Sequence, residues 1–464
     1  MRSWAGRILR ISATVVAALA ALALVIFLGS FVANIFDEDL TPEAKALRSP
    51  PPNPYHSADN IYVALAGFDA APRASMIVAG ETRIAKYNRE LDSGFSEITG
   101  THPEAMSFQG NLDYLRPLTS SVWNDARSHG TDVAGRLTDN QELYQRYLLL
   151  LRLQGYYDTS RPGSREPFYY VPQPVRSLFL ANVALRAQSS NQKSQLAALG
   201  DLSQDLLMWK GVLTGDGTLA SKMIAASALH ADLLLLADMI ADPATDLKLF
   251  DGVGQQAMTP FALADWRIDK AFGAAMRTSA AQFSQAAMIA SAPTGYDGAP
   301  LGWWQRMLAR MNGHFFQLNA TANLQARHFV QLIQLADADP SQFSAKREQY
   351  RQWLRKNDAT SSPAILFNPI GKILVEFAVP TYENYPLRVY DVAALQRLVY
   401  LVYQIRRQAI DLPAVPAFLK QHPEWSTHPL DGRPFNWNAA TEELAVPTAE
   451  INPQGQRFSV ILRQ

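Results

Sequence analysis

Residues 195–241 read QLAALGDLSQDLLMWKGVLTGDGTLASKMIAASALHADLLLLADMIA, and this stretch decides the fold class. From Leu196 to Leu213, leucines recur at steps of three or four residues or a multiple of them, which is the spacing of one helix face. The glycines of the Gly-Asp-Gly segment at 215–217 interrupt the pattern. Thr218 is a good N-cap for a second helix with an apolar face from Leu219 to Ala237. The stretch therefore predicts an antiparallel helical hairpin with a short turn.

Helical spacing continues on both sides of this hairpin, so the sequence predicts a mainly α protein built as a helical bundle or array. A short apolar run at 60–68 fits either a strand or a helical turn. Further helices are predicted from N-terminal signals or from apolar periodicity, at Thr138 with Gln141 (a capping box), at Pro172 and Pro174, at Thr259-Pro260, and over 301–336, 340–356 and 385–410.

The N-terminus carries the longest uncharged stretch, Ile11 to Phe36 (ISATVVAALAALALVIFLGSFVANIF). As a helix these 26 residues would span roughly 39 Å, which exceeds the ~30 Å of a bilayer's hydrocarbon core. Arginines at 2, 7 and 10 precede the stretch, and the acidic residues 37–39 follow it. The positive-inside rule then predicts a cytoplasmic N-terminus and an exported body. We expect a single-pass protein of a bacterial-type inner membrane, with residues 1–36 as cytoplasmic tip and anchor and its bulk in the periplasm.

A cleavable signal peptide is the alternative interpretation of the same stretch. Ala21-Leu22-Ala23 has the small-x-small form of a cleavage site. The apolar run continues beyond it through Leu28, so cleavage there would leave an apolar stub, and the uncleaved anchor is favoured. A second span is not predicted, because the apolar stretch 223–241 contains His230, Asp232 and Asp238, which are costly in lipid.

The remaining chain divides by composition into three parts. Residues 37–60 are rich in proline, which favours an extended spacer and predicts a tether. Residues 61–412 carry the helical patterns and form the predicted extracytoplasmic domain. From 413 to 464, prolines, aromatic residues and an alternating segment at 457–462 predict a small irregular cap with some β-structure.

Several function classes are disfavoured by composition and by the motifs that are missing. Lys plus Arg and Asp plus Glu number 42 each, so no net charge draws the protein to nucleic acid. The chain has no cysteine and no two histidines four residues apart, so we predict neither a metal site nor a cofactor. The G-x-S-x-G, H-E-x-x-H and P-loop motifs do not occur.

Carboxylates in apolar surroundings are the candidate catalytic groups, because burial raises a carboxyl pKa toward the range useful for acid–base chemistry. The candidates are Glu376, Asp391 and Asp232. Glu376 stands alone in the apolar segment 373–379, where a buried carboxylate commonly pairs with an arginine or caps a helix. Asp391 lies three residues after Arg388, which predicts an ion pair. His230, inside the most apolar helix, is the histidine expected to have a perturbed pKa and to bond to a neighbour.

Aromatic residues supply the candidate binding residues. Trp303 and Trp304 follow a turn and precede arginines, so they could form an exposed platform for a sugar or a headgroup. The favoured alternative places one ring in the core and the other over the turn. Tyr382 and Tyr385 lie in the second of two unusual segments, 368–372 and 379–385, that bracket Glu376. We expect a functional surface there first.

Three segments carry a resemblance: Asn368 to Tyr390 (NPIGKILVEFAVPTYENYPLRVY), Thr218 to Ala228 (TLASKMIAASA) and the tail His428 to Phe435 (HPLDGRPF). They are similar to an uncharacterised family of proteobacterial single-span, membrane-anchored, mainly helical envelope proteins. In the tail, His428 replaces the acidic residue usual before the proline. The resemblance implies a location and a fold, and it assigns no chemistry.

The sequence favours a non-enzymatic envelope protein that binds a protein partner or organises a complex. An anchor confines the body to the bilayer surface and raises its effective concentration for neighbours. The alternatives are an enzyme that acts on an envelope lipid or glycan, with one of the three carboxylates as acid or base, and a lipid carrier with an apolar cavity.

Overall fold

The computed structural model describes residues 2–92, 104–153, 155–163, 172–291, 302–358, 366–378, 380–449 and 455–462. Over these residues the protein is mainly helical, with an apolar N-terminal helix and a small sheet near the C-terminus, so the predicted fold class is confirmed. The helices are α1 (Arg2–Ala33), α2 (Pro42–Arg48), α3 (Ile61–Ala66), α4 (Met76–Asp92), α5 (Val122–Ser128), α6 (Gly130–Asp139), α7 (Gln141–Leu150), α8 (Gln173–Ala187), α9 (Gln192–Thr214), α10 (Leu219–Ala241), α11 (Val253–Met258), α12 (Asp269–Ser291), α13 (Trp303–His314), α14 (Leu318–Ala336), α15 (Pro340–Lys356), α16 (Pro369–Ala378), α17 (Tyr385–Arg407), α18 (Val415–Gln421) and α19 (Pro423–Ser426).

The described chain divides into two compact units. We call Met1–Pro50, Met276–Gln331 and Gln349–Tyr382 the anchor unit. We call Pro51–Ala275, Leu332–Glu348 and Glu383–Gln464 the core unit. These boundaries differ from those expected from composition, because the first part of the proline-rich segment 37–60 belongs to the anchor unit.

The predicted helical hairpin is present in the core unit as α9 and α10. The Thr218 side chain accepts a hydrogen bond from the backbone N–H of Ser221 at the start of α10. Gly215 follows α9, and a side chain there would collide with the backbone, because a Cβ would lie 2.2 Å from the carbonyl oxygen of Tyr156. The turn therefore needs glycine for space.

A buried lysine closes this hairpin. The Lys222 Nζ donates to the carbonyl oxygens of Val212 and Gly215, at 2.6 and 2.7 Å. It thereby satisfies carbonyls at the end of α9, which have no partner inside their own helix. Burial lowers the pKa of Lys222 to about 7.

The apolar helix α10 is the centre of the core unit. It packs against α9 on one side and α17 on another. By length and composition it could cross a membrane, but 78% of its most apolar window is buried inside the protein. This agrees with its interpretation as a buried helix, and His230 and Asp232 are both buried on it.

Other expected elements are confirmed with shifted ends. Pro172 precedes α8, with a further proline in the first turn of that helix. The ambiguous run 60–68 is helical, since Asn60 caps α3 through a bond from the Tyr62 backbone N–H. The C-terminal cap holds an antiparallel sheet in the order β1 (Asn436–Asn438), β2 (Glu443–Ala445) and β3 (Ser459–Ile461).

Two predicted helix starts are wrong. The Thr138 hydroxyl donates back to the Ala134 carbonyl oxygen within α6, because that helix continues through Asp139. Thr259 follows the end of α11, and the next long helix begins only at Asp269. In both cases the residue with the N-cap signature lies within or at the end of the preceding helix, so it does not begin a new one.

The predicted tether and the predicted long helix at 301–336 also differ from the structure. Residues 42–48 form α2, with the Thr41 side chain accepting from the Ala44 backbone N–H. The stretch 301–336 is broken into α13 and α14 at residues 315–317. The physical reason for both differences is a set of polar contacts in the anchor unit.

Candidate functional site

The C-terminal end of the apolar helix α1 is held by side chains from distant parts of the anchor unit. The Asn34 Nδ2 donates to the carbonyl oxygen of Leu366 at 2.7 Å, and its Oδ1 accepts from the Asn368 backbone N–H at 2.7 Å. The Gln317 Nε2 donates to the Asn34 carbonyl oxygen at 2.7 Å. These bonds satisfy the helix end from outside.

Asn368 is the second centre of these contacts. Its Oδ1 accepts from the Gln317 backbone N–H at 2.9 Å, and its Nδ2 donates to the Thr321 hydroxyl at 2.9 Å. The backbone of Asn368 has a φ of 51°, in the left-handed region that asparagine tolerates better than most residues. Position 371 needs glycine, because a Cβ there would lie 1.9 Å from the Thr321 hydroxyl oxygen.

The acidic flank after α1 is bound into the same region. The Asp37 carboxylate accepts from the backbone N–H groups of Asn319 and Ala320, at 2.7 and 3.0 Å. This places a negative charge on the N-terminus of α14, where the helix dipole favours it. Asn323 accepts from the Thr41 backbone N–H and donates to the Asp39 carbonyl oxygen.

We call these six buried or capping side chains the junction: Asn34, Asp37, Gln317, Thr321, Asn323 and Asn368. Five of them are less than 10% exposed, which makes an unpaired polar atom costly at this place. The junction explains why residues 37–41 do not form a free spacer. It also explains the break between α13 and α14, because the Gln317 backbone N–H bonds to Asn368 and its side chain bonds to Asn34.

The last turns of α1 also contact the end of α13. The His314 ring stacks on the Phe31 ring with centroids 4.1 Å apart, and its Nε2 donates to the Phe31 carbonyl oxygen at 2.8 Å. The rings of Phe27 and Phe315 meet edge to face at 5.8 Å. The C-terminal end of α13 is therefore fixed beside residues 27–31.

Trp303 and Trp304 are both exposed at the start of α13, by 61% and 57%. Their rings stack with centroids 4.0 Å apart. The favoured expectation that one ring faces the core is wrong, because α13 is attached through its opposite end and leaves its first turn exposed. Trp303 and Trp304 therefore remain candidate ligand-binding residues.

Glu376 lies on α16 with Oε1 3.8 Å from the Nε2 of the buried His328 on α14. That separation is too long for a hydrogen bond. Burial, with Arg327 nearby, lowers the pKa of His328 to about 4, so the imidazole is neutral at neutral pH and makes no ion pair. Among the described residues, neither His328 nitrogen has a hydrogen-bond partner, and the same holds for both amide atoms of the buried Gln325.

Asp232 lies in a separate cluster inside the core unit. It pairs with Arg176, which also lies 3.2 Å from Asp205. The Tyr147 hydroxyl donates to Asp205 at 2.6 Å. Burial raises the pKa of Asp232, and its partner Arg176 opposes the rise. Asp232 and Asp205 are fully buried, so the carboxylate joins helices and has no contact with solvent.

Asp391 holds the C-terminal cap of the core unit. It accepts from the His428 Nε2 at 3.0 Å and from the Ala449 backbone N–H at 2.6 Å. The expected ion pair with Arg388 is replaced by this contact, and the Arg388 guanidinium lies over the Tyr385 ring at 5.4 Å. Asp391 thus has a positioning role for the cap.

The other candidate residues have structural contacts. The Tyr382 ring packs 5.8 Å from the Phe329 ring in the anchor unit. The His230 Nε2 donates to the Arg457 carbonyl oxygen at 2.6 Å, and burial lowers the pKa of His230 to about 4, as expected from its apolar helix. Among the described residues, no group of three or more His, Asp or Glu side chains is placed to hold a metal.

An open pocket of about 410 Å³ in the core unit is lined in part by Glu104, Asp139 and Glu142. None of the residues singled out in the sequence lines it. The junction was also missed, because its members are separated by up to 334 residues. Two features of the sequence point to the junction: the acidic residues 37–39 and the asparagine directly before Pro369.

Searches against protein-family models, curated proteins and solved structures found no match to this chain. The resemblance to envelope proteins therefore stays a prediction, and the function rests on the geometry.

Asn368→Ala should lower the free energy of unfolding by roughly 2–4 kcal/mol, since a buried N–H loses its acceptor and alanine is strained at positive φ. Asn368→Gly removes the same side chain without the backbone strain and should cost less. The measurement is the thermal midpoint of the full-length protein in detergent. Asn357→Ala, at an exposed asparagine, is the control. An Asn368→Gly variant as stable as the wild type would show that these bonds contribute nothing.

His328→Leu should flatten the acid side of the stability profile. The folded pKa of about 4 lies below the unfolded value near 6.5, so protons bind first to the unfolded chain. The stability is complete above pH ~6.5 and falls toward pH ~4 by up to about 1.4 kcal/mol per unit. His230 adds a similar loss, so the variant should reduce the slope and leave part of it. Thermal midpoints against pH test this, with His56→Leu as an exposed control; an unchanged slope would contradict it.

Proposed function

We propose that this is a single-pass, membrane-anchored protein that serves as a protein-interaction or envelope-organising module at the bilayer surface. The junction is the observation that carries the proposal. It joins the apolar helix directly to folded structure, so the anchor unit has a fixed position relative to its span.

The apolar helix has the dimensions of a span. Thr14–Ala33 has a mean hydropathy of 2.8 over its most apolar window, and none of that window is buried in the protein. Its 20 residues correspond to roughly 30 Å, which matches the hydrocarbon core of a bilayer. The arginines before α1 and the acidic residues after it support a cytoplasmic N-terminus and a periplasmic body in an inner membrane.

The junction favours the uncleaved anchor over the signal peptide. The helix runs without interruption through Ala21–Ala23 and continues to Ala33. Cleavage there would leave Val25, Ile26 and Leu28, all at least 48% exposed, on a helix that the junction still holds. An anchored chain keeps these side chains in lipid.

An interaction module benefits from this attachment more than a freely tethered domain does. Confinement to the bilayer raises the effective concentration for partners in the same membrane. A fixed orientation of the anchor unit also lowers the ordering cost of binding. This supports a role that depends on partners in the same membrane.

The double variant Leu22→Arg/Val25→Arg should move the protein out of the membrane fraction. Each arginine near the centre of a span costs about 2.5–3.5 kcal/mol on insertion scales. The measurement is the share of full-length protein that stays with membranes after an alkaline carbonate wash. Val78→Arg/Leu149→Arg, at exposed positions of the core unit, is the matched control and should stay bound. Equal partitioning of the two variants would contradict the span.

Native mass spectrometry tests the module. Full-length protein, extracted gently after mild cross-linking in cells, should carry a protein partner in fixed ratio. A bare monomer, or a monomer with only a lipid or glycan mass, would contradict the interaction role and favour the carrier or the enzyme.

A further inference from the structure

Exposed apolar side chains in the described chain concentrate on two short helices of the anchor unit. Beyond Phe36, ten large hydrophobic residues are more than a third exposed, and six of them lie on α13 and α16. These six are Trp303, Trp304, Met307, Ile373, Leu374 and Phe377. Single exposed apolar residues are ordinary on a soluble surface, whereas a concentration on two short elements marks a contact surface.

Helix α16 presents one apolar side, and the exposed apolar residues of α13 lie in its first five residues. On α16, Ile373, Leu374 and Phe377 are exposed at one- and four-residue offsets, which places them on one face, and Phe377 is 83% exposed. The opposite side is used for packing, since Val375 is fully buried and Gly371 lies against Thr321. The exposed face is therefore not a consequence of a loosely packed helix.

Both helices are fixed to the point where α1 ends. The last residue of α13, His314, stacks on Phe31, and the residue before α16, Asn368, is bonded to Asn34. Phe31 and Phe27 precede Ala33 by two and six residues, which is roughly 3 and 9 Å along the helix axis. The attached ends of α13 and α16 thus lie at the depth where a span passes from acyl chains to headgroups.

The chemistry of the exposed side chains fits a membrane–water interface. Tryptophan is enriched at membrane–water interfaces, where its ring is apolar and its N–H reaches polar groups. The exposed Arg306 lies in the first turn of α13 beside the two tryptophans. A cation next to aromatic rings suits the phosphates of anionic lipids, as in helices that lie in the plane of a membrane.

We propose that α13 and α16 insert into the boundary between headgroups and acyl chains of the leaflet from which α1 emerges. This membrane contact rests on the proposed function, since it requires that α1 spans the membrane. It deepens that function, because the anchor unit then has a second membrane contact that fixes its depth and orientation.

The natural absence of cysteine makes a direct test possible in the full-length protein. Single cysteines at Phe377, Trp304, Leu22 and Val78 each accept one nitroxide label. The labelled proteins are reconstituted in vesicles of phosphatidylcholine and phosphatidylglycerol. Electron paramagnetic resonance then compares accessibility to oxygen, which concentrates in lipid, with accessibility to a water-soluble nickel complex. Leu22 is the span control, and the exposed Val78 of the core unit is the water control.

We expect labels at 377 and 304 to show an oxygen-to-nickel ratio several-fold above that at 78 and below that at 22. Labels at 377 and 304 that match 78, with 22 in lipid, would overturn the membrane contact and leave the span intact. A label at 22 that matches 78 would overturn the span and the contact together. Shielding of 377 and 304 from both reagents, or dipolar broadening between copies, would assign the surface to a protein contact and also overturn the proposal. Thermal midpoints equal to that of the wild type establish that the labelled variants fold. If the 377 variant does not fold, the label at 304 alone tests the membrane contact.

Discussion

The last carbonyl groups of an α-helix have no partner inside that helix, and the anchor unit is organised around satisfying those at the end of α1. At the C-terminal end of α1, the carbonyl oxygens of Phe31 and Asn34 receive bonds from His314 and Gln317, each 283 residues further along the chain. Water could supply these bonds to an exposed helix end. Here protein side chains supply them, and the same side chains fix α13, α14 and α16. The attachment of α1 and the fold of the anchor unit consequently depend on one set of interactions.

Buried polar side chains among the described residues differ in how they are bonded. The junction and the cluster of Arg176, Asp205 and Asp232 are bonded sets, in which each member fixes the position of another. His328 and Gln325 differ, because their buried side chains have no hydrogen-bond partner within the part of the chain that the structure describes. Such groups are rare in native proteins and reduce stability. Glu376, the carboxylate most unusual in sequence, has its Oε1 3.8 Å from the His328 Nε2.

Elements specified by their own sequence could be predicted. The hairpin of α9 and α10 follows from leucine spacing, the Thr218 cap and glycines that the turn needs. The strand at 459–461 follows from alternation, and the low pKa of His230 follows from its apolar helix. Thr138 and Thr259 show the limit of such signals. Each has a good local signature for a helix start, and in each case a helix that is already formed continues over it or ends there.

The candidate site could be predicted only in part, because its geometry depends on contacts between distant residues. No sequence spacing of asparagine, glutamine or threonine predicts a buried hydrogen-bond network. In the sequence, Asn34, Gln317 and Asn368 therefore do not differ from other polar residues. The acidic residues after α1 were noticed only as a charge signal for topology. In the fold, the Asp37 carboxylate caps the N-terminus of α14, so it has a structural role there. The prolines further along predict an extended tether, yet a tether that began at Asp37 would leave the end of α1 and the start of α14 unsatisfied. The position of the attachment therefore follows from where polar groups need partners, and that requirement acts across the whole anchor unit and not along the local sequence.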